Sequence, residues 1–196
     1  PRIRLSSLDG IEIDDRLLEL LAGEPRVMPH VHLSLQHGDD LILKRMKRRH
    51  LRQDAVRLVG ELKSRRPEIA IGADLIAGFP TEDEVAHAAN LSIIRELGIV
   101  HGHVFPYSAR TGTPAARMPQ VHNVTIKARA GELRHAVSEQ RSAWLQTLLG
   151  KPQEVLAERD GTGHAPNFAR VQLAPGTQAG TIVTVTPTRI VEGLLA

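Results

Sequence analysis

The stretch from Ile69 to Glu84, IAIGADLIAGFPTEDE, constrains the fold more than any other. It opens as a nearly unbroken apolar run to Ala77 and turns through Gly78-Phe79-Pro80. A continuous apolar run bounded by turn residues reads as a strand buried on both faces, as in parallel sheets. Asp74 interrupts the run, and a carboxylate in a buried strand needs hydrogen-bond or ionic partners. Thr81 with Glu84 three residues later reads as a capping box that starts a helix. Strand, turn and capped helix make one βα unit. In α/β folds ligands gather beyond the C-terminal strand ends, which here means around Gly78-Phe79-Pro80.

The same alternation recurs on both sides of this unit. Arg2 to Ser7 alternates polar and apolar residues and predicts a strand, followed by an amphipathic helix over 12–21. A strand over 27–35, a helix over 40–49 and a helix over 52–65 precede the Ile69 run. A helix over 82–97 and a strand over 99–107 follow it. Four strands alternating with helices predict a parallel sheet with right-handed crossovers, about half of an eight-stranded barrel or about two thirds of a six-stranded one. After a Pro/Gly-rich loop at 108–120, residues 123–149 predict a long helix that stops at Gly150-Lys151-Pro152. Residues 151–196 change character: short β-branched runs separated by Gly and Pro turns predict a small all-β barrel. The expected division is therefore 1–122, a connecting helix over 123–150, and 151–196.

Composition narrows the chemistry. The 196 residues contain no cysteine, which excludes disulfides, thiolate metal sites and cysteine nucleophiles within them. No apolar run is long enough to span a membrane, and no leader pattern opens the chain, so a cytoplasmic protein is expected. Because the chain opens on Pro1 with no leader to remove, it reads as part of a longer one. Net charge is +3, with basic clusters at 44–50 and 63–66 that suit either RNA or a solvated helix face.

The residues expected at the strand C-termini are Ser6 and Ser7, Gln36 with His37 and Gly38, Gly78 with Phe79 and Pro80, and Pro106 with Tyr107 and Ser108. This rim lacks a nucleophile–base pair and a carboxylate pair, so no catalytic residue is assigned. Its polar character suits a cofactor cradle, and the Gln36 amide is its sharpest member. His30/His32 and His101/His103 each share a strand face and could chelate a metal. Their place near the strand starts, with His32 roughly 13 Å from Gln36, argues for packing instead, so no metal site is expected.

Four segments, 2–10 (RIRLSSLDG), 30–50 (HVHLSLQHGDDLILKRMKRRH), 71–84 (IGADLIAGFPTEDE) and 103–121 (HVFPYSARTGTPAARMPQV), closely resemble the radical S-adenosylmethionine methylthiotransferases in order and spacing. The resemblance covers essentially the whole chain. Leu5-Ser6-Ser7 and the His103-Val-Phe-Pro-Tyr-Ser108 segment look most like the branch that acts on threonylcarbamoyladenosine beside the tRNA anticodon. Residues 151–196 are similar to the TRAM domain that ends those enzymes and contacts tRNA.

The resemblance implies strands three to six of a six-stranded partial TIM barrel followed by a TRAM-like barrel. It implies S-adenosylmethionine and two [4Fe–4S] clusters as cofactors, and tRNA as partner. In the family, a reduced cluster cleaves S-adenosylmethionine to a radical that takes hydrogen from C2 of adenine, where a methylthio group is inserted. The family holds its clusters on cysteines, and this chain has none. It therefore reads as the C-terminal part of such an enzyme, inactive alone. For these residues the resemblance implies a cofactor wall at Gln36 and Asp74 and RNA or substrate contacts at Arg110, Arg117, Phe168 and Arg170. Two other readings stay open: an RNA-binding module without cofactor, and a metal-dependent barrel hydrolase using the histidine pairs. A sheet that begins at strand three also predicts an unpaired edge and self-association.

Overall fold

The computed structural model describes all 196 residues. Helix α1 (Asp15–Gly23) is capped by Asp14, whose carboxylate accepts from the Leu17 N–H at 2.8 Å. Strand β1 (His30–Gln36) leads to the short helix α2 (Asp40–Arg45) and to α3 (Arg52–Arg65). Strand β2 (Ala70–Ala77), helix α4 (Glu84–Leu97) and strand β3 (Ile99–Pro106) form the expected βαβ unit. The three strands pair in parallel in the order β1-β2-β3.

Outward-facing Val31, Leu33, Leu35, Ile71, Ala73 and Leu75 are fully or almost fully buried against the helices. At roughly 1.5–3 kcal/mol for each large aliphatic side chain removed from water, this layer dominates the stability of the sheet. The opposite face carries His30, His32, Asp74, His101 and His103. This polar face sets itself apart from the apolar face that the helices cover.

Four boundaries differ from the sequence expectation. Residues 2–7 do not form a continuous strand. Two isolated parallel bridges, Ile3 with Val27 ahead of β1 and Leu8 with Leu33 of β1, take the place of the expected strand. Five residues on this segment span six on its neighbour, and Ser7 adopts a left-handed φ of 56°, so the ladder breaks between the bridges. The helix expected over 12–21 splits into a 3-10 turn at Gly10–Glu12 and α1. The helix expected over 40–49 stops at Arg45, because Lys47 turns left-handed at φ 59°. The Thr81–Glu84 capping box does not form. Asp83 caps α4 by accepting from the Ala86 N–H at 2.8 Å, while Thr81 sits at φ 69° and takes part in the turn.

Helix α5 (Asn123–Gln146) packs its Ala130, Leu133, Ala136 and Val137 into the main core and its Leu145 into a second core. That second core belongs to the all-β unit: β4 (Gln153–Ala157), β5 (Thr162–His164), β6 (Arg170–Gln172), β7 (Ile182–Val185), β8 (Ile190–Val191) and β9 (Leu194–Leu195). They form one sheet in the order β7-β4-β5-β6-β9-β8. The expected barrel closure is not met, since β7 and β8 remain the two edges of an open sheet. With strands of only two to five residues, the ladder is too short for its ends to meet.

The all-β unit seats against the N-terminal end of the parallel sheet. Arg2 bonds the Glu154 carbonyl and carboxylate at 2.8 and 3.0 Å, and Arg4 donates to the carbonyls of Ala165 and Pro166. No helix is long and apolar enough to cross a membrane.

Candidate functional site

The C-terminal ends of β1, β2 and β3 open into a cavity of about 460 Å³ lined by Gln36, Ile76, Phe105, Tyr107 and Arg110. Gln36 ends β1 in a left-handed conformation, φ 68°, where the β1–β2 register shifts. A non-glycine residue held there costs about 1 kcal/mol or more, and such outliers concentrate at functional sites. Its amide makes no side-chain hydrogen bond, and the Tyr107 hydroxyl is buried without a partner. Two unspent polar groups at the mouth of a parallel sheet suit a polar ligand, as the sequence suggested for Gln36.

The loop 108–120 forms one wall of this mouth. Thr81 N–H donates to the Pro119 carbonyl at 3.0 Å, and Tyr107 N–H donates to the Ala77 carbonyl at 2.9 Å. Phe79 meets Tyr107 edge-on at 5.3 Å, and Ala115 and Met118 pack on the small cluster of Ile42, Phe79 and Ala86. The loop is therefore fastened to the Gly78-Phe79-Pro80 turn. Arg110 and Arg117 project from it, both exposed and neither paired with a carboxylate.

Beneath the turn lies a charge network that the sequence reading missed. Glu82 is fully buried and accepts from the Gly78 N–H at 2.9 Å, from His37 Nε2 at 3.0 Å and from Arg129 Nη1 at 3.0 Å. Burial alone would raise its carboxyl. The His37 hydrogen bond, the Gly78 N–H and Arg129 outweigh burial and hold it below the usual range. Asn90 joins the same support by bonding Gly38 N–H and the Ile76 carbonyl. One signal could have exposed this network: Arg129 stands on the apolar stripe Ile126, Ala130, Leu133 and Val137 of α5, where a charge demands a buried partner.

Asp74 sits one layer below the mouth. Its Oδ1 lies 3.1 Å from His32 Nε2 and 3.2 Å from His103 Nδ1. The histidines therefore pair across the sheet rather than along a strand: ring centroids are 4.6 Å apart for His32 and His103, and 6.4 Å for His30 and His32. His30 and His101 form the next layer down, 5.3 Å apart. Burial, then the charges of Arg4 and His32, push His30 down to about 3. Burial, then His30 and Arg141, push His101 down to about 3.

Phe168 closes this lower layer. His164 stacks on its ring at 4.5 Å, the Arg4 guanidinium lies 4.5 Å from its centroid, and His30 and His101 approach within 4.9 and 5.3 Å. Arg170 is partly exposed and pairs with Asp160 at 2.6 Å. So the structure brings Gln36 and Arg110 together at the mouth, with Arg117 nearby on the same loop. Asp74 lies deeper, and Phe168 and Arg170 stand at the opposite end of the sheet.

Comparison with known proteins carries the geometry further. Residues 5–91 match the radical SAM superfamily. The threonylcarbamoyladenosine tRNA methylthiotransferase MtaB of Rickettsia prowazekii is 45% identical over 194 residues, 99% of this chain and 46% of that protein. Other curated relatives of this chain include tRNA-2-methylthio-N(6)-dimethylallyladenosine synthases. The one from Cereibacter sphaeroides is 38% identical over 82% of this chain and 37% of its own length. That of Paracoccus denitrificans is 31% identical over 100% and 45%. The chain thus spans less than half the length of these curated relatives. Among solved structures, the radical SAM enzyme coproporphyrinogen III oxidase of Escherichia coli aligns with a TM-score of 0.45, at 19% identity over 74% of this chain and 30% of that one.

Radical SAM chemistry needs S-adenosylmethionine and an iron–sulfur cluster. The mouth suits the first through Gln36, whose amide lines the cavity without a side-chain hydrogen bond. The residues present do not fit the second: with no cysteine, they supply no thiolate for a cluster.

Proposed function

We propose that this chain is the C-terminal, cofactor- and RNA-facing part of a tRNA methylthiotransferase that modifies C2 of threonylcarbamoyladenosine. The observation that carries the reading is the 45% identity to the Rickettsia prowazekii methylthiotransferase over 99% of the chain. In this reading S-adenosylmethionine and two [4Fe–4S] clusters supply the radical and the sulfur, with the cluster ligands on cysteines outside these residues. Everything this chain contributes is binding and positioning.

Gln36 forms the cofactor wall, where its amide can bond a carboxylate, amine or ribose. Asp74 forms the floor beneath it. Arg110 and Arg117, carried on a loop fastened at Thr81 and Pro119, meet the substrate nucleotide or its neighbouring phosphates. Both guanidiniums are free of carboxylates, which supports this role. Residues 151–196 act as a TRAM-like RNA-binding unit, with Arg170 as a contact and Phe168 seating the loop that carries it. The domain division is 1–122, 123–150 and 151–196. A tRNA substrate puts the protein in the cytoplasm.

Nucleoside mass spectrometry on tRNA from cells lacking the gene tests this function. Loss of 2-methylthio-threonylcarbamoyladenosine, with the unmethylthiolated nucleoside accumulating, is expected. Loss of the 2-methylthio form of dimethylallyladenosine instead would overturn the substrate assignment. The lack of cysteine favours a second outcome for the 196 residues alone: salt-dependent tRNA binding without turnover.

A further inference from the structure

The inner face of the parallel sheet brings three ligand-capable side chains to one point. His32 Nε2, His103 Nδ1 and an Asp74 oxygen all lie within 4.8 Å of one another. They come from three adjacent strands that pair in parallel. Asp74 stands directly opposite His103, and His32 stands opposite Gly72, two residues before Asp74. Gly72 makes the arrangement possible. A Cβ there would stand 2.4 Å from His32 Nδ1, so any other residue would push the His32 ring away from Asp74.

We propose that His32, Asp74 and His103 bind a divalent transition metal of the zinc class. Two imidazole nitrogens and one carboxylate oxygen are donors that Zn²⁺, Co²⁺ and Ni²⁺ accept. Donor atoms around a tetrahedral zinc, with bonds near 2.0–2.1 Å, are about 3.3–3.4 Å apart. The two nitrogen–oxygen separations of 3.1 and 3.2 Å need open by only about 0.2 Å to admit the ion. The donors are placed by strands rather than loops, so little ordering remains to oppose binding.

The surroundings suit a cation bound through three protein ligands. His32 is almost buried, while the His103 side chain is 66% exposed. The cluster borders a groove of about 710 Å³ that also reaches Arg4, Ser6 and Arg141. Three protein ligands beside open space leave the fourth position to water or a small ligand, as in catalytic rather than structural zinc sites. Without metal the same atoms form a His–Asp–His hydrogen-bonded bridge.

Cobalt titration separates the two states. The cysteine-free chain is titrated with Co²⁺ alone, reading visible absorption, and Zn²⁺ is then added to displace it. One saturable equivalent with the intense bands of a tetrahedral site is expected, bleached by Zn²⁺. His103→Ala removes an exposed side chain and is expected to weaken Co²⁺ binding at least tenfold while leaving the melting temperature of the metal-free chain unchanged. Asp74→Asn keeps the shape and is expected to weaken binding equally, which covers any folding defect in the first variant. His135→Ala, at an exposed histidine 3.4 Å from Glu139, is expected to change nothing. Absence of saturable binding, binding unaffected by both site variants, or binding lost in His135→Ala would each overturn the proposal.

Discussion

His37 donates from Nε2 to the Glu82 carboxylate at 3.0 Å, with both side chains fully removed from solvent. The Asp39 N–H donates to the other ring nitrogen at 3.0 Å, which fixes the proton on Nε2 and aims it at Glu82. Arg129 completes the site from α5. Three separate elements are thereby tied beneath the Gly78-Phe79-Pro80 turn.

Removing Glu82 leaves Arg129 and His37 buried without their anion. Glu82→Ala is expected to cost about 3–5 kcal/mol in urea unfolding, the usual result of breaking one side of a buried pair. Glu84 also meets Arg129, but it is 84% exposed. Glu84→Ala is expected to cost less than about 1 kcal/mol. Equal effects from the two variants would show that the buried network is not what holds the turn.

Gly78 needs its missing side chain twice over. Its φ is 70°, and an added Cβ would stand 2.5 Å from Ile126 Cγ1. Gly78→Ala therefore combines left-handed strain with overpacking, and a loss of about 2–4 kcal/mol is expected. Thermal unfolding measures it. Gly112 shares the positive φ, at 86°, but has open space around it, so Gly112→Ala is expected to cost only the conformational part, about 1 kcal/mol.

His30 and His101 set an acid limit on stability. Each is pushed from the ordinary histidine value of 6.5 to about 3, chiefly by burial. A lowered folded value means that the unfolded chain binds protons first as pH falls. Stability is therefore complete above about 6.5 and falls between about 6.5 and 3, by up to about 1.4 kcal/mol per pH unit for each ring. Urea unfolding at pH 7 and pH 5 reads the difference. His101→Phe, which keeps an aromatic ring beside Trp144 and Phe168, is expected to flatten the slope by one ring's share.

RNA binding and packing should separate at the arginines and Phe168. Arg110→Ala and Arg117→Ala leave the fold untouched, and each is expected to reduce the salt slope of tRNA binding by about one phosphate contact. Filter binding across a range of salt concentrations measures this. Phe168→Ala removes a ring enclosed by His30, His101, His164 and Arg4, so its expected signature is a loss of about 2–4 kcal/mol in stability. An unchanged melting temperature in Phe168→Ala would contradict that packing role.

Periodicity and punctuation determined much of this protein without its structure. The apolar run at 69–77, Gly98 at the end of its helix and the strand at 99–107 each lie within a residue or so of the observed βαβ unit. These features are local: a buried strand needs an unbroken apolar run, and a helix end needs a left-handed residue. The place of Asp74 inside a buried strand was also legible, because a carboxylate in an apolar run stands out against its neighbours. The tertiary structure alone decided which distant groups meet. Strand register brought His32 and His103 onto Asp74, although the sequence offered only the pairs along each strand. Helix α5 carried Arg129 to Glu82 across 47 residues, so an acid expected only at the start of a helix became the centre of a buried network. Register and helix docking are set by packing between elements, and no spacing within one element encodes them.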